Sequence, residues 1–211
     1  MCSNYRPVTR SDLLLRHFNI IRPENALPID CYPGNLAPFI RRGDDSTPAG
    51  RELVDGRFGL IPHWAKDLAM GKRMYNARSE TVAEKPSFRD AWRRGQRCIV
   101  PAEQIYEPCY ETGKSIWWRI GLRGWTPFGI AGVWAWCLDP ASGKEILSFT
   151  MLTVNADEHP MMKRFHKPGE EKRMVVILDE SNYDYWLDCT VDQAWSMIKV
   201  FPADRMDCAP R

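Results

Sequence analysis

The stretch that most constrains the fold runs from Arg97 to Asn155. Apolar, aromatic and β-branched residues recur there in short runs at Arg97–Pro101, Ile105–Glu107, Ser115–Leu122, Pro127–Trp136 and Ile146–Asn155. That is the composition of strands. Gly113 and the Asp139-Pro140-Ala141-Ser142-Gly143 cluster mark turns between them. The strands do not alternate with helices, so a meander fits better than βαβ units. Leu36–Arg41 and Glu52–Leu60 add two strand candidates around the polar turn Arg42–Ser46, and Met174–Leu178 adds a third.

The helices are short. Ser11 is placed to N-cap one that runs to His17 or Phe18, with the leucines as its buried stripe. Pro86 suits a first helical position, with Phe88, Ala91 and Trp92 on one face and Gly95 as the stop. Ala156–Phe165, Glu180–Leu187 and Val191–Ile198 read as further short helices. Glu24–Asn35 and Ile61–Arg73 read as loops, Tyr75–Thr81 shows neither period, and the tail from Val200 reads as irregular. There is no repeat or linker. The expectation is one α+β domain over residues 1–211. Its sheet is curved, largely antiparallel and barrel-like, and short helices flank it.

Composition sets limits on function. The 211 residues are 44% hydrophobic, enough for a sizeable core. A formal net charge of +2 does not mark a nucleic-acid binder, although a local basic groove is compatible with it. The seven cysteines (2, 31, 98, 109, 137, 189 and 208) are scattered and never in Cys-x-x-Cys spacing. That argues against a disulfide framework and against zinc. Leu13-Leu14-Leu15 is too short for a signal sequence, and no stretch approaches the roughly 20 apolar residues of a membrane span. We expect a monomer of the cytosol or the nucleoid, without membrane, metal or cofactor.

Several residues carry potential chemistry. Removal of Met1 would leave Cys2 as the N-terminus, with an amine of pKa about 7.7–8.0 beside a thiol of about 8.5. That pair suits an aldehyde: the amine condenses to an imine and the thiol closes a thiazolidine. On position alone, an inert buried cysteine is the simpler reading. Asn76-Ala77-Arg78 offers an amide and a phosphate-compatible guanidinium, or else a capped turn with a surface arginine. Glu107 ends an apolar run and is either an acid/base with a raised pKa or an edge-strand carboxylate. His166 is either an acid/base or a helix-end cation, with His159 and His63 as competitors. Arg78, Arg164 and Arg173 with Lys163, Lys167 and Lys172 would line a phosphate groove, although Glu170 and Glu171 interrupt the run. Trp64, in a Pro/Lys loop, is a stacking platform or a core residue.

Taken together, these stretches resemble the SOS-response-associated peptidase (SRAP) family, also described as abasic-site processing proteins. The resemblance covers most of the chain. It rests on Met1-Cys2, Asn35-x-Ala37-Pro38, Gly59-Leu60-Ile61-Pro62-x-Trp64 and Asn76-Ala77-Arg78-Ser79-Glu80-Thr81. It continues through Cys98-Ile99-Val100-Pro101-Ala102, Tyr106-Glu107, Thr153-x-Asn155-Ala156, and His166 ahead of Arg173-Met174. It implies covalent capture of abasic sites in single-stranded DNA, in the response to DNA damage. Cys2 matches the crosslinking residue and Asn76 the one that orients the cysteine or the opened sugar. Glu107 matches the acid/base for ring opening. His166 matches the histidine of proton transfer, strand cleavage and crosslink reversal. Arg78 and Arg173 match phosphate-binding arginines, and Trp64 a stacking position. The family name implies peptidase activity, which would amount to exposing Cys2 by removal of Met1 or a short leader.

The chain departs from the family pattern in three places. Cys2-Ser3-Asn4 stands for Cys-Gly-Arg, Pro108 follows Glu107 where tryptophan is common, and His-x-Arg-Met-Pro is opened to His166…Arg173-Met174-Val175. The third departure keeps His159 as an alternative to His166. Two rival functions remain open at this level: a cysteine peptidase using Cys2, and a non-covalent nucleic-acid or protein-binding module.

Overall fold

Five strands close on one another in the computed structural model, which describes residues 2–22, 28–43, 47 and 50–211. The elements in chain order are β1 (Tyr5–Pro7), α1 (Ser11–Phe18), β2 (Leu36–Arg42), β3 (Arg51–Phe58), β4 (Asn76–Arg78) and α2 (Arg89–Arg93). Then come β5 (Arg97–Cys109), β6 (Ile116–Leu122), β7 (Phe128–Leu138), β8 (Glu145–Asn155), β9 (Arg173–Val175) and β10 (Ile177–Leu178). The chain finishes with α3 (Tyr183–Asp188), α4 (Val191–Ala194) and β11 (Met206–Pro210). The closed ring is β5–β7–β8–β3–β2 and back to β5; β3–β8 is its parallel pair and the others are antiparallel. Closure removes exposed strand edges from the ring. β1 and β6 attach to β5, β4 and β9 to β8, β10 to β7, and β11 to β6. The α+β, barrel-like, largely antiparallel expectation holds. Among the described residues no helix is long and apolar enough to cross a membrane.

Aromatic rings fill the barrel. Phe58 lies 5.6 Å from Phe149 and 5.2 Å from Tyr5, and Phe39 lies 5.3 Å from Phe149. Each such pair contributes about 0.5–1.5 kcal/mol beyond simple burial. Tyr5 in this cluster fixes β1, and β1 in turn fixes the N-terminus against β5.

The structure corrects several local expectations. β5 is one strand of 13 residues, not two. It runs through Pro101 because it changes partners there: β7 pairs as far as Ala102, β1 covers the bend, and β6 takes over at Ile105. Ser11 lies inside α1, whose N-cap is Arg10, and its hydroxyl donates to the Arg22 carbonyl at 2.5 Å. Ala156–Phe165 forms turns and a single 3-10 turn at Met162–Arg164, not a helix. Pro160 lacks an amide hydrogen and disfavours helix at His159, which accounts for the break. The tail forms β11 on the free edge of β6, and Asn76–Arg78 forms β4, parallel to β8. A three-residue strand is too short to show a period. Residues 24–27 of the expected first loop and 44–46 of the expected turn lie outside the described residues.

Candidate active site

The N-terminus is tied down by main-chain hydrogen bonds. Tyr5 exchanges bonds with Cys31 at 3.2 and 2.8 Å, and the Tyr106 amide donates to the Asn4 carbonyl at 3.0 Å. Those bonds carry Cys2 onto β5 beside Glu107, and only 2% of Cys2 is exposed. Its Sγ donates to the Asn4 carbonyl at 3.5 Å. Burial, and then the Glu107 charge, push the thiol pKa well above its ordinary value. Met1 lies outside the described residues.

Glu107 and His166 face each other. Phe165 bridges to Cys109 at the end of β5, and the His166 amide donates to the Pro108 carbonyl at 2.9 Å. This holds His166 in the left-handed region, at φ 64°. For a residue other than glycine that conformation costs about 1–3 kcal/mol. His166 Nε2 lies 3.2 Å from Glu107 Oε2, with both side chains buried. At that distance the two can form an ion pair. The ring is nevertheless turned so that neither nitrogen has an aligned hydrogen-bond partner among the described residues. An unmade bond to a buried polar group costs about 1–3 kcal/mol.

β4 brings Asn76 to the same region. Its Nδ2 donates to the Tyr75 carbonyl at 2.9 Å, and its Oδ1 is buried with no partner among the described residues. Burial first, then the proximity of Cys2 and Glu107, raise the pKa of the Tyr75 phenol, which places Tyr75 at this site as well. Trp118 stands directly across the β5–β6 ladder from Glu107, and its ring meets Phe165 edge-on at 6.1 Å. Sequence reasoning singled out neither aromatic. The position of Tyr75 beside Asn76 was the available signal.

The two arginines differ in setting. Arg78 is half-exposed, and its Nη1 pairs with Glu171 Oε2 at 2.7 Å. The Arg173 side chain is 2% exposed and is held by Glu80 at 2.8 Å, Glu171 at 2.5 Å and the Thr153 carbonyl at 2.7 Å. Its donors therefore face protein acceptors rather than solvent. Arg164 is engaged by Glu111 at 2.8 Å and lies 4.9 Å from the Trp118 ring centre. Lys172 caps the His166 and Lys167 carbonyls at 3.2 and 2.8 Å. Trp64 is 45% exposed, on the turn that follows Gly59. Gly59 has φ 118°, and a Cβ there would stand 2.1 Å from the Gly71 carbonyl oxygen, so only glycine fits.

His159 is a contrasting case. Its Nδ1 accepts from the Met161 and Met162 amides at 3.2 and 3.0 Å, so Nε2 carries the proton and donates to the Phe201 carbonyl at 2.7 Å. His63 is exposed. Among the described residues no cluster of His, Cys, Asp or Glu could hold a metal ion.

Comparison with known proteins gives a consistent result. The family model described as SOS response associated peptidase (SRAP) matches residues 1–210. The abasic site processing protein YoqW of Bacillus subtilis is 33% identical, over 98% of this chain and 90% of the relative. Abasic site processing protein HMCES of Gallus gallus is 28% identical, over 79% of this chain and 54% of the relative. A crystal structure of a Bordetella bronchiseptica protein superposes with a TM-score of 0.92 at 37% identity, covering 100% of this chain and 99% of that one.

Proposed function

The chain belongs to the SOS response associated peptidase family, and on that premise we propose that it captures abasic sites in single-stranded DNA as a thiazolidine on Cys2. Processing of abasic sites is what the names of its relatives state. The observation that carries the finer reading is the buried Glu107–His166 pair beside Cys2, whose ring nitrogens have no aligned hydrogen-bond partner. Buried polar groups left unpaired are uncommon in a fold and are costly to keep. Here they would face a substrate that supplies hydroxyls and a carbonyl.

The chemistry balances without a redox partner. Hydrolysis of the Met1–Cys2 bond frees the α-amine. An abasic deoxyribose is mostly a closed hemiacetal. Glu107 and His166 would take the proton from the anomeric hydroxyl and give one to the ring oxygen, which releases the aldehyde. The amine adds to C1′ and water departs, leaving an imine. The thiol then adds to the imine carbon, its proton passes to the nitrogen, and the five-membered ring closes. Reversal runs the same steps backwards and again needs a proton donor, the role given to His166. The Asn76 Oδ1 is a free acceptor for the amine or a sugar hydroxyl. Arg78 would take a backbone phosphate, Trp64 a neighbouring base, and Arg173 would brace the carboxylates around Arg78.

A thiol peptidase is less well supported. Such an enzyme needs a thiolate beside a histidine. Burial instead raises the Cys2 thiol pKa, and its Sγ donates to the Asn4 carbonyl at 3.5 Å.

The test is a denaturing gel of protein mixed with a single-stranded oligonucleotide, with and without one abasic site. Wild type gives a heat-stable adduct with the abasic strand only, and Cys2→Ala gives none. An equally stable adduct with Cys2→Ala contradicts the thiazolidine.

A further inference from the structure

Three groups converge on one carboxylate. Glu171 Oε1 accepts from Arg173 Nη1 at 2.5 Å and from Asn155 Nδ2 at 3.1 Å, and Glu171 Oε2 pairs with Arg78 Nη1 at 2.7 Å. Two guanidiniums and an amide around a single anion have the donor chemistry of a phosphate seat. Burial alone would raise the Glu171 pKa. The hydrogen bonds from Arg173 and Asn155, with the charges of Arg173 and Arg78, outweigh it and hold the carboxyl below its ordinary range. The seat is therefore filled by an ionised group of the chain itself.

We infer that Glu171 is a specificity-determining residue: it occupies the anion seat of the free protein, and a backbone phosphate of the strand must displace it from Arg78. The inference rests on the functional reading above, in which Arg78 meets DNA.

The geometry allows this exchange. The main chain around Glu171 is fixed independently of its side chain, because the Lys172 amide donates to Asp157 Oδ1 at 2.7 Å and the Lys172 carbonyl accepts from the Ala156 amide at 2.7 Å. The Glu171 side chain is 31% exposed and can swing into water by rotation alone. Once it leaves, Arg173 keeps Glu80 and Thr153, while Arg78, 49% exposed, is free to take the phosphate. The consequence is selective. An intact strand gains little at Arg78, because that contact must first break an internal ion pair. An abasic strand pays the same displacement but ends in a covalent bond, so it alone is retained.

The experiment measures the Kd and the salt dependence of an intact single-stranded oligonucleotide with wild type, Glu171→Gln, Arg78→Ala, Arg78→Ala/Glu171→Gln and Glu170→Gln, each with its thermal midpoint. Glu170→Gln makes the same change in net charge at an exposed neighbour. Glu171→Gln is expected to tighten binding by about fivefold, the scale of one partly exposed ion pair. Its salt slope should stay within roughly 0.7 of the wild-type value, because Arg78 meets one phosphate in both complexes. Glu170→Gln should change affinity less than about twofold, and Arg78→Ala should cancel the gain. Unchanged or weaker binding by folded Glu171→Gln overturns the inference, as does a gain that survives Arg78→Ala or is matched by Glu170→Gln. If wild type crosslinks abasic strands but these variants fail, only this inference falls. If wild type neither binds nor crosslinks, the functional reading falls with it.

Discussion

His159 and His166 lie on the same stretch of chain, both nine-tenths or more buried, and they are treated in opposite ways. His159 uses both ring nitrogens, with two amides on one side and a carbonyl on the other. His166 uses neither in an aligned bond and sits in a left-handed backbone conformation as well. The first histidine stabilises the fold around Phe201. The second is kept at a cost that folding alone does not justify. Strained backbone and ring nitrogens without an aligned hydrogen bond in one residue are the features of a site held ready for a substrate. The same contrast separates the arginines, since Arg173 is saturated by protein acceptors whereas Arg78 is half-exposed on a single carboxylate.

The largest expected effect falls on the partner of the unsatisfied histidine. Glu107→Gln keeps shape and burial but cannot shuttle a proton, so crosslinking under single turnover should slow by about 10²–10⁴-fold. Affinity for the strand should barely move. Crosslinking at the wild-type rate in Glu107→Gln would remove its role.

The two histidines themselves give a smaller and opposite pair of effects. His159→Ala strands the Phe201 carbonyl and two amides, and should lower stability by about 2–3 kcal/mol. Crosslinking by the protein that remains folded should be unchanged. His166→Asn is the cleaner probe at the other position, because asparagine tolerates the left-handed region and alanine does not. It should cost less than about 1 kcal/mol of stability, while crosslink reversal and strand cleavage slow. Equal destabilisation in both variants, measured by urea unfolding, would erase the contrast.

The sequence made the barrel legible where strands are long. β7 and β8 alternate or concentrate apolar residues over eleven positions each, and their sequence-based bounds lie within two residues of those observed. β4 and β11 were not found, because their pairing is supplied by the free edges of β8 and β6 rather than by any local period. Pro101 suggested a break in β5 because the change of partners that accommodates it lies on other strands. Within the site, Cys2, Asn76, Glu107 and His166 came to notice individually by residue type, and together only through resemblance. No spacing rule connects a chain start, a three-residue strand, a barrel strand and a loop. Glu171 was seen only as an interruption of a basic run. That it is the counterion of Arg78 depends on β8 and β9 placing Asn155 opposite Arg173.

On the proposed chemistry an N-terminal cysteine, not an internal thiol or a lysine, holds the sugar. The most direct test is mass spectrometry of the adduct formed with an abasic single-stranded oligonucleotide, first intact and then after proteolysis. Thiazolidine formation gives a mass equal to the chain without Met1 plus the oligonucleotide minus one water, with the modification on the peptide that begins at Cys2. An adduct that retains Met1, or one mapped to a lysine, would contradict it.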